Sequence, residues 1–389
     1  MIRLTLSILS ALLLAACVHP PLPPHPFKPD VLGNPPGMVD RLDMFEAAED
    51  WEAGELIGVH VVDDGILLGA GPGVLAKAFR RYPDEGRWIS PVMEPDFEFT
   101  ELLPSWNVEA PPDTGVRFEV RARDARSGEW SPWLHAGFWG RTTFHPERPV
   151  WFKGGFVNVD ILILTQPANA YQIQAHLESY HLPGENLPRV RRIAVVHSGV
   201  VRDERRRAEV MEPVIIEGEW ARDLNVPFIQ QQSLGPPIGT SVCSPTSVTM
   251  VLHHWGIDAP LLDNAMAIYD PEFNLFGNWN RAVARPGELG LDAWLVRVRS
   301  MDQIRAEIAR GQPVIASVVI ERGDVTGLTY SGGHLVVIRG LTPEGDVIIN
   351  DPFLPADAGG DGAFWRAEEF AHVWFDKGGV GYIIRPPAE

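Results

Sequence analysis

Cysteine is nearly absent from this 389-residue chain, which has two, Cys17 and Cys243. The single disulfide they could form would tie the middle of the chain to a floppy leader, so no covalent frame is expected. Positive charge is scarce as well. Lys and Arg number 33 against 51 Asp and Glu, a formal net charge of −18, and no long basic run interrupts the excess. That balance argues against nucleic acid and against electrostatic binding to anionic lipid. The apolar run at residues 4–14 is too short for a confident membrane span, which takes roughly 20 residues. No internal repeat is visible. What remains is an ordinary globular composition, 45% hydrophobic and 22% charged, with thirteen Trp and length for two domains or three small ones.

The leader reads Met1-Ile2-Arg3, then the apolar run, then Leu14-Ala15-Ala16-Cys17. A basic start, a short apolar stretch and small residues before the cut predict a secretory signal peptide over 1–17. The last four residues also resemble the lipobox of bacterial lipoproteins, which implies lipidation of Cys17, export, and a lipid anchor at the cell envelope. Residues 18–50 are expected to be a Pro-rich tether, with one or two helical turns over 43–51. If Cys17 is lipidated, Cys243 is an unpaired thiol in an exported protein, and an odd thiol there is a candidate reactive group.

Residues 51–217 read as an all-β sandwich-like domain. Ile57-Gly58-Val59-His60-Val61-Val62 and Ile66-Leu67-Leu68 flank the turn signal Asp63-Asp64-Gly65, and residues 115–121 alternate apolar and charged. Trp106, Trp130, Trp133, Trp139 and Trp151 are either a carbohydrate-binding face or sandwich packing. The charged run at 202–207 reads as a solvated linker face.

From Trp220 the pattern turns to mixed α and β. Val248, Val251, Leu252 and Trp255 recur at helical spacing, with Ser244 placed to cap, Pro245 at the first helical position and Gly256 to end the helix. Cys243 is thereby set at a helix N-terminus, where the positive end of the dipole lowers a thiol pKa. The plain alternative is a small buried hydrophobe. Residues 300–310 predict a helix with Ser300 and Gln303 as a capping box. Residues 313–320, 334–340 and 346–350 predict strands, the last two a hairpin about a turn at 342–345. That hairpin sets His334 and Asp351 side by side to within about two positions. A His beside a carboxylate is the pair a thiol nucleophile needs; alone, each is equally a locally bonded histidine and a turn former before Pro352. Gly332-Gly333 lets a substrate backbone approach. A metal site is poorly supported, because His253-His254 lacks the His-Glu-x-x-His frame, and no cofactor is expected.

The chain resembles the secreted C39-like peptidases, which have a papain-like fold. The resemblance rests on Val226-Pro227-Phe228-Ile229-Gln230-Gln231, Cys243-Ser244-Pro245-Thr246-Ser247, Gly277-Asn278-Trp279, Gly290-Leu291-Asp292-Ala293, Gly333-His334-Leu335-Val336-Val337 and Asn350-Asp351-Pro352. Glu101-Leu102-Leu103-Pro104-Ser105-Trp106-Asn107 is similar to the β region upstream in secreted members. The resemblance implies Cys243 as nucleophile, His334 as base, Asp351 as orienting acid and Gln231 as oxyanion donor. This chain has Cys-Ser-Pro where many members have Cys-Gly-Pro, and the run Gln230-Gln231-Gln232 leaves the donor's register open by one residue. The expected fold class is α+β: an N-terminal all-β sandwich-like domain followed by a papain-like cysteine peptidase domain over 218–389. The expected function is an exported, lipid-anchored cysteine peptidase acting on peptide or protein substrates. A catalytically idle shell with a Trp-rich binding module is a second reading, and a thiol acyltransferase a third.

Overall fold

The computed structural model describes residues 34–69, 84–142, 150–159, 161–180 and 187–387. The leader with its lipobox, residues 1–17, lies outside the described residues, as does the tether up to residue 33.

Among the described residues, the N-terminal half is one antiparallel sheet of twelve strands curled around a single core. Its path runs Glu55–Ile57, Asp84–Ile89, Ile161–Ser179, Phe99–Glu109, Arg189–Val200, Gly65–Leu68, Val59–Val62. The 19-residue strand Ile161–Ser179 lets one sheet serve as two layers. It pairs with Phe99–Glu109, loses register between Ile163 and Ala168, and then pairs with Thr114–Asp124 and Asp84–Ile89. A register break of this kind is how a strand passes from one layer to the other. The expected all-β, sandwich-like half is what forms.

Its tryptophans are mostly core. Trp51, Trp88 and Trp106 are fully buried. Trp106 stacks on Phe118 at 4.1 Å, and Trp51 meets Trp88 edge-on at 5.0 Å. Trp139 is buried too, while Trp130 and Trp133 are half-buried beneath the Arg121 guanidinium at 4.6 and 4.5 Å. Of the five set out above, Trp151 alone is exposed.

Met38–Phe45, assigned above to the tether, is instead a strand paired residue for residue with Arg189–Val200. Both of its faces are sheltered, so it carries no simple period. Val39 and Phe45 bury in the β core, whereas Leu42 and Met44 pack against the core of the other half. Its charges are paired in place: Asp40 holds Arg299 at 2.7 and 3.1 Å, and Asp43 meets His197. The run at 202–207 enters a short helix, Glu204–Val210, capped by Asp203.

The C-terminal half is a six-stranded antiparallel sheet in the order Asp292–Arg297, Val380–Arg385, Val314–Ile320, Gly332–Leu341, Val347–Asn350, Ala363–Trp365. Helices Met301–Ala309 and Ala367–Trp374 bury Ile304, Ile308, Phe370 and Val373 against Val314, Ala316, Val318, Val336 and Ile338. The capping box of Ser300 and Gln303 forms as expected. Helix Cys243–His254 packs on the strand Gly332–Leu341 and on helices Leu261–Ile268 and Trp279–Glu288. Trp279–Glu288 also bridges the halves: Asn280 donates to the carbonyl of Ala136 and Arg281 to that of Phe138, both at 3.1 Å. Among the described residues no helix is long and apolar enough to cross a membrane.

Candidate active site

Cys243 is the first residue of its helix, and the helix owes its start to backbone rather than to a side-chain cap. The Thr246 N–H donates to the carbonyl of Val242 at 2.9 Å, so Val242 is the capping residue and Pro245 occupies the third helical position. The expected Ser244 cap is thereby corrected. Proline is tolerated there because the third N–H has no partner within a helix. Ser244 instead sits buried with its hydroxyl 3.2 Å from that of Tyr382. The C-terminus ends as expected. Gly256 adopts φ +78, its N–H reaches the His253 carbonyl at 3.0 Å, and the Ile257 N–H reaches Leu252 at 2.9 Å. Those two bonds are a Schellman end, which needs the left-handed glycine. Every residue from Ser244 to Leu252 is buried, so the helix is enclosed on all sides rather than along one stripe.

The hairpin delivers His334 and Asp351 from adjacent strands. Val337 faces Asn350 in the ladder, which sets Asp351 level with Val336, two residues from His334. His334 is buried, and Asp351 is wholly so. His334 Nε2 lies 2.7 Å from Asp351 Oδ1. The same carboxylate oxygen accepts the Phe353 N–H at 2.9 Å, and the other accepts the Tyr330 hydroxyl at 2.6 Å. With Nε2 engaged by Asp351, Nδ1 is the imidazole nitrogen left for the Cys243 thiol, with which His334 interacts.

The electrostatics follow from these contacts. Burial pushes the Cys243 thiol up, but the hydrogen bond and charge of His334, with the N–H groups of Leu335 and Ser244, leave it below its ordinary value. Burial lowers His334, yet Asp351 and Cys243 outweigh it and push the imidazole up to about 9. The two shifts together describe a thiolate–imidazolium pair. Cys243 is half-buried. Beside His334, a Cβ at Gly332 (φ +127) or at Gly333 would meet no atom within 4 Å, so the approach is clear.

Gln231 is buried in the 3-10 turn Gln231–Leu234 and tied beside Asp351, its N–H donating to the Pro352 carbonyl at 2.8 Å. Its amide Nε2 donates one hydrogen to the carbonyl of Gly239 at 2.8 Å, and its Oε1 is buried without a partner. Gln230 and Gln232 are both half-buried. Other quoted motifs prove architectural. Asn278 caps the helix Trp279–Glu288 and donates to Asp270 at 2.7 Å, while Asn350 donates to the Val226 carbonyl at 2.9 Å. His253 Nε2 sits 3.1 Å from the Ala259 carbonyl, and no cluster of three His, Cys, Asp or Glu suited to a metal occurs among the described residues. Tyr330 was missed. It lies in a stretch without period, four residues before His334, and nothing local ties it to Asp351.

Comparison with known proteins matches residues 223–382 to the Peptidase_C39 like family. The C-terminal half is a C39-like peptidase domain. Residues 41–198 match the Peptidase C39 N-terminal domain, so the β half has its own counterpart upstream of such peptidases. The start of that match inside Met38–Phe45 agrees with the strand found there. A search of curated proteins finds no match. Among solved structures, TmCBM61 in complex with beta-1,4-galactotriose is similar over 44% of this chain and 93% of that one. The identity is 8% and the TM-score 0.17, a likeness that carries no argument. The C39-like domain thus contains Cys243, His334, Asp351 and Gln231 within its matched span.

Proposed function

We propose that this protein is an exported, lipid-anchored cysteine peptidase acting on peptide or protein substrates. Cys243 is the nucleophile, His334 the acid and base, Asp351 the group that orients the imidazole, and Gln231 an oxyanion donor. The observation that carries this reading is the hydrogen-bonded series Cys243, His334, Asp351, with the thiol below and the imidazole above their ordinary values. Membrane anchoring rests on Leu14-Ala15-Ala16-Cys17.

The Cys243 thiolate attacks the carbonyl carbon of the scissile amide, and the C=O electron pair moves onto oxygen. One Nε2 hydrogen of Gln231 is held by Gly239, which leaves the second for that oxyanion. Collapse breaks the C–N bond, and the leaving amine takes the proton from His334 Nδ1. Water then gives a proton to Nδ1 and attacks the thioester, and the thiolate departs. Asp351 keeps its charge throughout, stabilising the imidazolium at Nε2.

The test is an activity-based thiol probe on the purified protein, followed by a peptide-library digest. Labelling at Cys243 with cleavage of library peptides is expected, both lost in Cys243→Ala. Folded protein that resists the probe contradicts the proposal.

A further inference from the structure

The strand Phe99–Glu109 presents an unusual face. Glu101, Leu103, Ser105 and Asn107 alternate along it, and all four are buried, three of them polar. Buried polar groups need partners, and those of Glu101, Ser105 and Asn107 lie in the other half, on the strand Asp292–Arg297. That strand is the edge of the catalytic sheet and pairs on one side with Val380–Arg385. Among the described residues, no strand meets the row of backbone groups on its other side.

Asn107 takes the place of a strand residue. Its Oδ1 accepts the Ala293 N–H at 3.1 Å and its Nδ2 donates to the Ala293 carbonyl at 2.7 Å. A carboxamide offers the donor and acceptor of a peptide group, so one side chain satisfies both. Two residues on, the Leu295 N–H donates to Ser105 Oγ at 3.1 Å. Two further on, Arg297 Nη2 meets Glu101 Oε2 at 2.6 Å, with both side chains out of water. Arg192 joins the row, 3.3 Å from Asn107 Oδ1 and 2.9 Å from Asp292.

We infer that the N-terminal half is a built-in clamp that closes the open edge of the catalytic sheet. An unpaired edge is a site for aberrant pairing, and here side chains rather than a seventh strand cover it. Desolvation raises Glu101 and lowers Arg297 despite their mutual attraction, so this pair fixes the register of docking more than it adds stability. The clamp also bears on the reactive helix. Leu295 is paired with Tyr382, whose hydroxyl meets that of Ser244, the residue after Cys243. The role differs from that of a separate substrate-binding module and does not depend on the protein being a peptidase.

The test uses the full chain with a protease site inserted in the segment around Val214 and Ile215, both exposed. After cleavage the halves should elute together from gel filtration and part only in denaturant. Precipitation of the C-terminal half on release would also support the clamp. Two soluble species resolved under native conditions would overturn it. In the uncut chain, Asn107→Ala should speed hydrogen exchange at the Ala293 amide, and Ser105→Ala at Leu295, by about tenfold. The amides of Val314 and Val336 should be unaffected. Ser105→Ala removes one hydroxyl, so it serves alone if Asn107→Ala does not fold. Unchanged exchange at Leu295 would overturn the inference, and neither measurement reads activity.

Discussion

Asp351 holds His334 by Nε2, at 2.7 Å, and so decides which nitrogen faces the thiol. The imidazole can rotate about its Cβ–Cγ bond, and a buried carboxylate opposite Nε2 fixes that angle. Asp351 is itself fixed, between the Phe353 N–H and the Tyr330 hydroxyl.

Tyr330 is therefore a positioning residue. Its ring lies 5.3 Å from that of His334 and 5.0 Å from Phe353, so Tyr330→Phe keeps the packing and removes one hydrogen bond to a charged group. Such bonds are worth about 1.5–3 kcal/mol, so kcat should fall by about ten- to a hundredfold with KM little changed. Because it acts through Asp351, the loss should shrink when Asp351→Asn is already present. Additive losses in steady-state kinetics would contradict that role.

Gln231→Ala should lower kcat by about 10²–10³ if its free Nε2 hydrogen meets the oxyanion. The neighbours Gln230 and Gln232 are the controls. A larger loss from either, compared under saturating substrate, would move the donor by one position.

The β half carries a pH-sensitive cluster away from the site. His176 lies between Glu85 (Nδ1 to Oε1, 2.8 Å) and Glu119 (Nε2 to Oε2, 3.3 Å), with Arg117 alongside. Burial lowers His176, but the two carboxylates raise it above its ordinary value. The His176 hydrogen bond lowers Glu85, and the same partner overcomes burial to lower Glu119. The histidine's contribution to stability is full below about pH 6.5 and is lost as pH rises through its raised value. That of the glutamates is full above about pH 4.3 and is lost as pH falls through their lowered values. The cluster should stabilise most between those limits. His176→Asn should flatten that maximum in denaturant midpoints measured across pH; an unaltered profile would contradict it.

Much of this was legible in the chain because it is local. Cys243 at a helix mouth, the Ser300 and Gln303 box and the hairpin joining His334 to Asp351 each depend on residues close in sequence. What was not legible depends on distant partners. Met38–Phe45 hides its strand because its two faces serve two cores. Ser244 looked like a cap, but its hydroxyl goes to Tyr382, 138 residues away. The roles of Asn107 and Tyr330 could not be read locally, since Ala293 and Asp351 become their neighbours only in the folded chain.

The anchor is tested by Cys17→Ser, which should leave the protein unprocessed or release it from the membrane fraction. Wild-type protein that carries no lipid label on metabolic labelling with fatty acid would contradict the lipobox reading.

The most direct test of the thiolate–imidazolium pair is the pH dependence of Cys243 alkylation by iodoacetamide, in wild type and in His334→Ala. With the thiol lowered and His334 held up to about 9, the pair persists between those two values. Alkylation should therefore be fast at mildly acidic pH, well below the ordinary thiol value of about 8.5. His334→Ala should move the profile upward and lower turnover by about 10²–10⁴. A wild-type profile that rises only near pH ~8.5 and does not respond to His334→Ala would contradict the account.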